Sequence, residues 1–218
     1  MVKIEEKAPL IPVDTQNHIR SGLKMAVQVI LSGGVVAFPT ESFYGLAVNA
    51  TDDEAIQRLL VLKERQGDHP ILILIPSEDV LGQYVAHIPE IARRLIKEFW
   101  PGGLTMIFEA GKSISPLLTA GTGKIGVRVS SHPIATALAR AAGIPISGTS
   151  ANVTGRPACV NSREVFRSLG RKVDLILDGG ETKGGEGSTV LDVTVHPPVI
   201  VREGIVGRDR LKGYLSRS

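Results

Sequence analysis

Six short segments place cations and small hydroxyl or amide side chains where they could hold an anion. They are Phe38-Pro39-Thr40-Glu41-Ser42-Phe43-Tyr44-Gly45-Leu46, Lys63-Glu64-Arg65, Gly126-Val127-Arg128-Val129 with His132-Pro133, Ser147-Gly148-Thr149-Ser150-Ala151-Asn152 with Gly155-Arg156-Pro157, Ser188-Thr189-Val190, and Arg202-Glu203-Gly204. Each falls at a predicted strand end or loop, where side chains can reach a cleft. Arg128 interrupts a β-branched run between Val127 and Val129, and an unpaired charge buried there would be costly, so it either pairs internally or binds an anion. Arg202, after Val199-Ile200-Val201, repeats the pattern. The planar guanidinium fork fits a carboxylate or a phosphate at two points. Taken singly, Thr40, Ser150, Asn152 and Ser188 suit ordinary turns, and Lys63 and Arg65 suit the carboxyl end of a helix.

Three familiar motifs do not hold. Gly121-Thr122-Gly123-Lys124-Ile125-Gly126 fits a dinucleotide fingerprint, but Val127-Arg128-Val129 continues as a strand where that fingerprint needs a helix. No glycine-rich stretch ends in the Lys-Ser or Lys-Thr of a P-loop, including that from Gly179 to Gly187. Gly148-Thr149-Ser150-Ala151-Asn152 resembles a nucleophile elbow, yet Asn152 stands where the second glycine is required.

The elements that must carry these segments alternate. Helical spacing runs from Thr15 to Leu31 through Ile19, Leu23, Val27 and Ile30, stopped by Gly33-Gly34. A strand is predicted at Val35 to Phe38, feeding a loop that includes Tyr44-Gly45. A helix from about Asp52 turns Ile56, Leu59, Leu60 and Leu62 inward and delivers Lys63 and Arg65 at its end. Ile71 to Ile75 reads as a strand covered on both faces, and Ile88 to Phe99 as a helix broken by Trp100-Pro101-Gly102-Gly103. Further strands are predicted at Leu104 to Phe108, Ile125 to Val129, Pro145 to Ser147, Leu175 to Leu177, Thr189 to Val193 and Val199 to Val201. Helices are predicted after Ser131, as cap, with Pro133 in the first turn and Gly143 at the end, and over Asn161 to Leu169. The alternation predicts a layered α/β architecture around a twisted, largely buried sheet.

With 218 residues, 43% hydrophobic and 4% aromatic, the chain can build one large domain on an aliphatic core. Lys and Arg exceed Asp and Glu by 25 to 22, a mild bias rather than a polyanion-binding composition. No apolar run is long enough to span a bilayer and no secretory leader is visible, so a cytoplasmic protein without a membrane partner is expected. Cys159 is the single cysteine and reads as a small space filler, and the five histidines lack ligand spacing, so no protein-held metal is expected.

Taken in order, the Pro-Thr-Glu, Lys-x-Arg, Ser-x-Asn, Ser-Thr-Val and Arg-x-Gly segments, with Trp100-Pro101-Gly102, closely resemble the YrdC/Sua5 family of threonylcarbamoyl-adenylate synthases. The resemblance implies a mixed, strongly twisted sheet with flanking helices around a basic concave site, in one YrdC-like domain over residues 1–218 with its core at about 15–206. The chain ends soon after Leu211-Lys212-Gly213-Tyr214, so the short form without a further carboxyl-terminal domain is expected. The implied reaction converts L-threonine, bicarbonate and ATP into threonylcarbamoyl-AMP and pyrophosphate, for threonylcarbamoyladenosine in tRNA. By residue-wise transfer, Thr40, Arg128, Ser150 and Ser188 hold threonine, and Lys63, Arg65, Asn152 and Arg202 meet ATP, with Lys63 and Arg65 as the catalytic cations. Mg²⁺ is expected to ride on the phosphates. The implied partners are downstream tRNA threonylcarbamoyl transferase proteins.

Gln66 after Lys-x-Arg, Lys124, and Gly103 depart from the family's usual proline, serine or threonine, and proline; Lys124 either contacts a phosphate or faces solvent. Two other readings share the fold. A module that binds RNA weakly has little support from the low net charge and the lack of a stacking motif. A carbamoyl-transfer domain would belong to longer chains with zinc fingers, whose cysteines are missing here.

Overall fold

The computed structural model describes residues 8–64 and 69–215. The first predicted helix is α1 (Gln16–Leu31), capped by Thr15, whose side chain accepts from the His18 amide, and ended by Gly33 at φ 78°. Strand β1 (Leu10–Pro12) precedes it. Next come β2 (Val36–Pro39), β3 (Tyr44–Ala47) and α2 (Asp53–Leu62), the helix being capped by the Asp52 carboxylate on the Glu54 and Ala55 amides. The segment read as a loop at Tyr44-Gly45 is thus the fully buried β3. A glycine fits there because the Phe38 ring lies against it; a Cβ on Gly45 would sit 3.1 Å from Phe38 Cζ.

The run Ile71 to Ile75 is buried as expected, apart from a half-buried Leu72, but only β4 (Ile73–Leu74) joins a ladder. It is followed by α3 (Glu90–Phe99), β5 (Leu104–Glu109), the single turn α4 (Pro116–Thr119), β6 (Lys124–Arg128) and α5 (Pro133–Ala142). Ser131 does not cap α5. His132 occupies that position, and the Ser130 hydroxyl accepts from the His132 amide at 3.1 Å. The remainder is β7 (Ile146–Ser147), β8 (Thr149–Ser150), α6 (Ser162–Leu169), β9 (Leu175–Asp178), β10 (Thr189–Asp192), β11 (Val199–Arg202) and α7 (Arg208–Leu215).

The expected mixed α/β architecture is present, with its strands divided between two sheets. One has the order β1-β9-β2-β3-β8 and the other β11-β10-β5-β6-β4-β7, and both contain parallel and antiparallel pairs. Alternation along β2 shows why two cores form. Val36 and Phe38 join Ala26 and Ile30 of α1, Leu138 and Ala139 of α5, and Leu175 and Leu177 of β9. Ala37 faces the larger core with Leu46, Ile56, Leu59, Ile73, Met106, Phe108 and Val127. Each fully buried Leu, Ile or Phe contributes about 1.5–3 kcal/mol, so both sheets are held by their covered faces.

Only Gly148 separates β7 in one sheet from β8 in the other. Ser147 reinforces the corner: its hydroxyl donates to Leu46 O at 3.0 Å and accepts from the Val48 amide at 3.0 Å. Gly148 itself is close-packed, since a Cβ would lie 2.5 Å from Leu72 Cδ1 and 2.9 Å from Leu74 Cγ.

Candidate functional site

A cleft of about 520 Å³ opens where strand ends of the two sheets meet. Thr40, Lys63, Arg128, Ser150, Asn152, Ser188 and Arg202 all line it. Thr40 follows β2, Lys63 ends α2, Arg128 ends β6, Ser150 ends β8, Ser188 precedes β10 and Arg202 ends β11. Seven of the eight residues singled out in the sequence therefore converge, and Arg65 lies outside the described residues.

Lys63 is 2% exposed and its ammonium donates to Ser150 O at 2.6 Å, Asn152 O at 2.9 Å and Asn152 Oδ1 at 3.2 Å. One cation thereby ties the end of α2 to the Ser-x-Asn loop. Ser150 Oγ donates to Asn152 Oδ1 at 2.6 Å, and the Asn152 amide donates to Arg156 O. The Thr40 hydroxyl donates to Phe43 O at 2.6 Å, closing the turn between β2 and β3.

Arg128 meets the first of the two alternatives posed by its sequence position, an internal pair. Its side chain is 7% exposed, its Nη1 pairs with Glu41 Oε1, and the second Glu41 oxygen accepts from the Ser130 hydroxyl. Its Nε is buried without a hydrogen-bond partner, as is His132 Nδ1. Burial, with the Arg202 charge adding to it, brings the Arg128 guanidinium down to about 10, and burial also lowers the His132 imidazole.

Arg202 differs from the sequence picture of a buried strand cation. β11 is a largely exposed edge strand, and Arg202 reaches inward from it to donate from Nε and Nη2 to Ser188 O at 3.2 and 2.8 Å, and from Nη2 to Ser188 Oγ at 3.1 Å. Ser188 Oγ also accepts from Thr105 Oγ1 at 2.9 Å. The Arg-x-Gly spacing has a physical cause here. Gly204 lies flat on the backbone before β10, where a Cβ would meet Gly187 O at 2.2 Å and Thr189 N at 2.7 Å, and this contact keeps β11 close enough for Arg202 to span to Ser188.

Sequence reasoning gave no role to several lining residues, although Tyr44 and Glu203 lie within the segments it singled out. His69, Tyr44, Glu186 and Glu203 also border the cleft. The Tyr44 hydroxyl donates to Gly180 O at 2.8 Å and accepts from the Gly179 amide at 3.1 Å, anchoring the glycine-rich loop, and burial raises its pKa. Glu41 was visible only as part of Pro-Thr-Glu, because its partners lie far along the chain. Lys124 does not line the cleft; its ammonium pairs with Asp192 at 2.9 Å. Buried Cys159 borders a neighbouring cavity of about 570 Å³, together with Glu64, Arg156 and Lys172. Among the described residues no cluster of three His, Cys, Asp or Glu could hold a metal ion, and no helix is long and apolar enough to cross a membrane.

The Sua5/YciO/YrdC family model, which carries the description "Telomere recombination", matches residues 28–204 and so includes every site residue named above. The chain belongs to this family. A threonylcarbamoyl-AMP synthase of Pyrococcus abyssi is 39% identical over 182 residues, 84% of this chain and 54% of the relative. Among solved structures, P. abyssi Sua5 complexed with L-threonine superposes with a TM-score of 0.89 at 36% identity, covering 94% of this chain and 60% of that one. Escherichia coli YciO superposes with a TM-score of 0.82 at 32% identity, covering 95% and 98%. The chain spans about half the length of the curated family members it matches first.

Proposed function

We propose that this Sua5/YciO/YrdC chain is an L-threonylcarbamoyladenylate synthase, a nucleotidyltransferase that makes threonylcarbamoyl-AMP and pyrophosphate from L-threonine, bicarbonate and ATP. The observation that carries the proposal is the convergence of Thr40, Lys63, Arg128, Ser150, Asn152, Ser188 and Arg202 on one cleft. Its relatives' names and the L-threonine in P. abyssi Sua5 agree with it.

The reaction asks little covalent help of a protein. The threonine amine condenses with bicarbonate and releases water to give a carbamate, whose oxygen attacks the α-phosphorus as pyrophosphate leaves, so the demands are alignment of two anions and compensation of their charge. In this reading Arg128 takes the threonine carboxylate, and Thr40, Ser150 and Ser188 complete the amino-acid side. Lys63, Asn152 and Arg202 serve ATP, with Arg65 completing Lys-x-Arg. Lys63 acts as charge and as scaffold: a phosphate oxygen would replace one of the loop oxygens that its ammonium now meets. Mg²⁺ enters with the triphosphate as part of that substrate, keeping water and phosphate ligands. The fold core at about 15–206 is assigned the whole activity, in the cytoplasm, and the product passes to transferase proteins that modify tRNA.

Pyrophosphate release from ATP tests this directly, measured with threonine and bicarbonate together and with each omitted. Dependence on both is expected. Output that ignores threonine would defeat the assignment.

A further inference from the structure

Arg128 lines the cleft, whereas Glu41 and Ser130, which hold it, do not. The Glu41 carboxylate makes a bracket: one oxygen takes Arg128 Nη1 and the other takes the Ser130 hydroxyl, two residues further along the same segment. Ser130 is itself fixed, accepting from the His132 amide at the start of α5. Glu41 sits beside Thr40, whose hydroxyl locks the turn after β2. The bracket therefore fastens the turn of one sheet to the end of β6 in the other. A long arginine side chain has many rotamers, and a cleft residue that must meet a ligand at two points gains from having them removed beforehand. What the bracket leaves over is the buried, unpartnered Nε, a donor oriented by a contact on another edge of the same planar group.

We propose that Glu41 is a positioning residue of the amino-acid site, holding the Arg128 guanidinium by Nη1 so that the donors the bracket leaves unpaired are oriented for the substrate carboxylate. The inference rests on the assignment of that carboxylate to Arg128. Glu41 acts through Arg128 and touches no substrate. It also supplies the counter-charge that lets a cation lie buried at the cleft.

Threonine binding by calorimetry, with steady-state kinetics for threonine and ATP, tests the proposal on the whole chain carrying Glu41→Ala or Glu41→Gln. Glu41→Ala frees the guanidinium and is expected to weaken threonine binding about tenfold or more, while the KM for ATP changes less than about threefold. Glu41→Gln keeps an oxygen for Nη1 and a second polar atom for Ser130, and is expected to stay within about threefold of the parent for threonine. A purely structural role would shift melting temperature without this split between the substrates, and that result overturns the proposal. Tighter threonine binding in both variants would also overturn it, showing Glu41 to be a competitor for Arg128. Should Glu41→Ala fail to fold, Ser130→Ala removes one arm of the bracket; a weakening of about threefold is expected, and unchanged binding would reject the proposal. Arg128→Ala separates the two layers: undiminished threonine binding in that variant defeats the proposed function, whereas lost binding there with intact binding in Glu41→Ala defeats the positioning role alone.

Discussion

Lys124 and Arg128 begin and end the same strand, β6, and each pairs with a carboxylate far away in the chain, yet the two pairs serve different ends. Lys124 meets Asp192 across the six-stranded sheet, with side chains 37% and 14% exposed, and the pair joins non-adjacent strands β6 and β10. Arg128 is nearly sealed from solvent, meets Glu41 from the other sheet and retains a donor with no partner. A partly exposed pair whose groups are served is a tie between strands. A buried pair with one donor unserved is where we place the proposed carboxylate contact. A cation in a strand is therefore no marker of a site by itself; what marks it is the balance of donors left after folding.

The largest effect should come from Arg128→Ala. Removing one partner of a buried pair strands Glu41, at a typical cost of about 3–5 kcal/mol, and threonine-dependent kcat/KM should fall about a hundredfold or more in the pyrophosphate assay. Arg128→Lys keeps a charge but loses the fork, and recovery of less than about a tenth of the parent activity is expected. Lys63→Ala should cost about tenfold to a hundredfold, since both charge and the hold on the Ser150 and Asn152 carbonyls are lost; parent-like kinetics would remove Lys63 from the site.

A pH series sharpens the contrast. Because the Arg128 value is depressed to about 10, the folded protein loses that proton at lower pH than the unfolded chain does. Above about pH 10 the unfolded chain then holds more protons, so the folding penalty of the buried charge is relieved as pH rises, while affinity for a carboxylate declines. Threonine affinity measured through that range should fall while thermal stability does not fall with it. Smallest of all should be Lys124→Ala: its ammonium is partly exposed and the Asp192 carboxylate keeps its Thr194 hydrogen bonds, so a modest drop in melting temperature with turnover within about twofold is expected. A large loss of turnover would reverse the comparison between the two ends of β6.

Much of the fold was readable because periodicity is local. Ile19, Leu23, Val27 and Ile30 announce α1, and Thr15 and Gly33 mark its ends, without reference to any distant residue. β3 was not readable: Tyr44-Gly45 carries a turn signature, and only the Phe38 ring on the paired strand explains a glycine within a buried ladder. Nor was the edge position of β11, since Val199-Ile200-Val201 has the composition of an interior strand while its exposure is set by where the sheet ends. The cleft residues were found because their types and order resemble a known pattern. Glu41 escaped because its role depends on a guanidinium that folding brings in from another sheet.

The first strand carries a consequence for how the molecule comes to be made. Leu10 lies opposite Ile176, and among the described residues β1 has no neighbour in the sheet other than β9. On a ribosome, β1 must wait until β9 emerges before its own backbone partner exists. Such distant pairing slows folding and leaves an unpaired strand open to wrong contacts in the interval. The five-stranded sheet is thus completed late, and a nascent chain stopped before β9 should remain sensitive to proteases at β1.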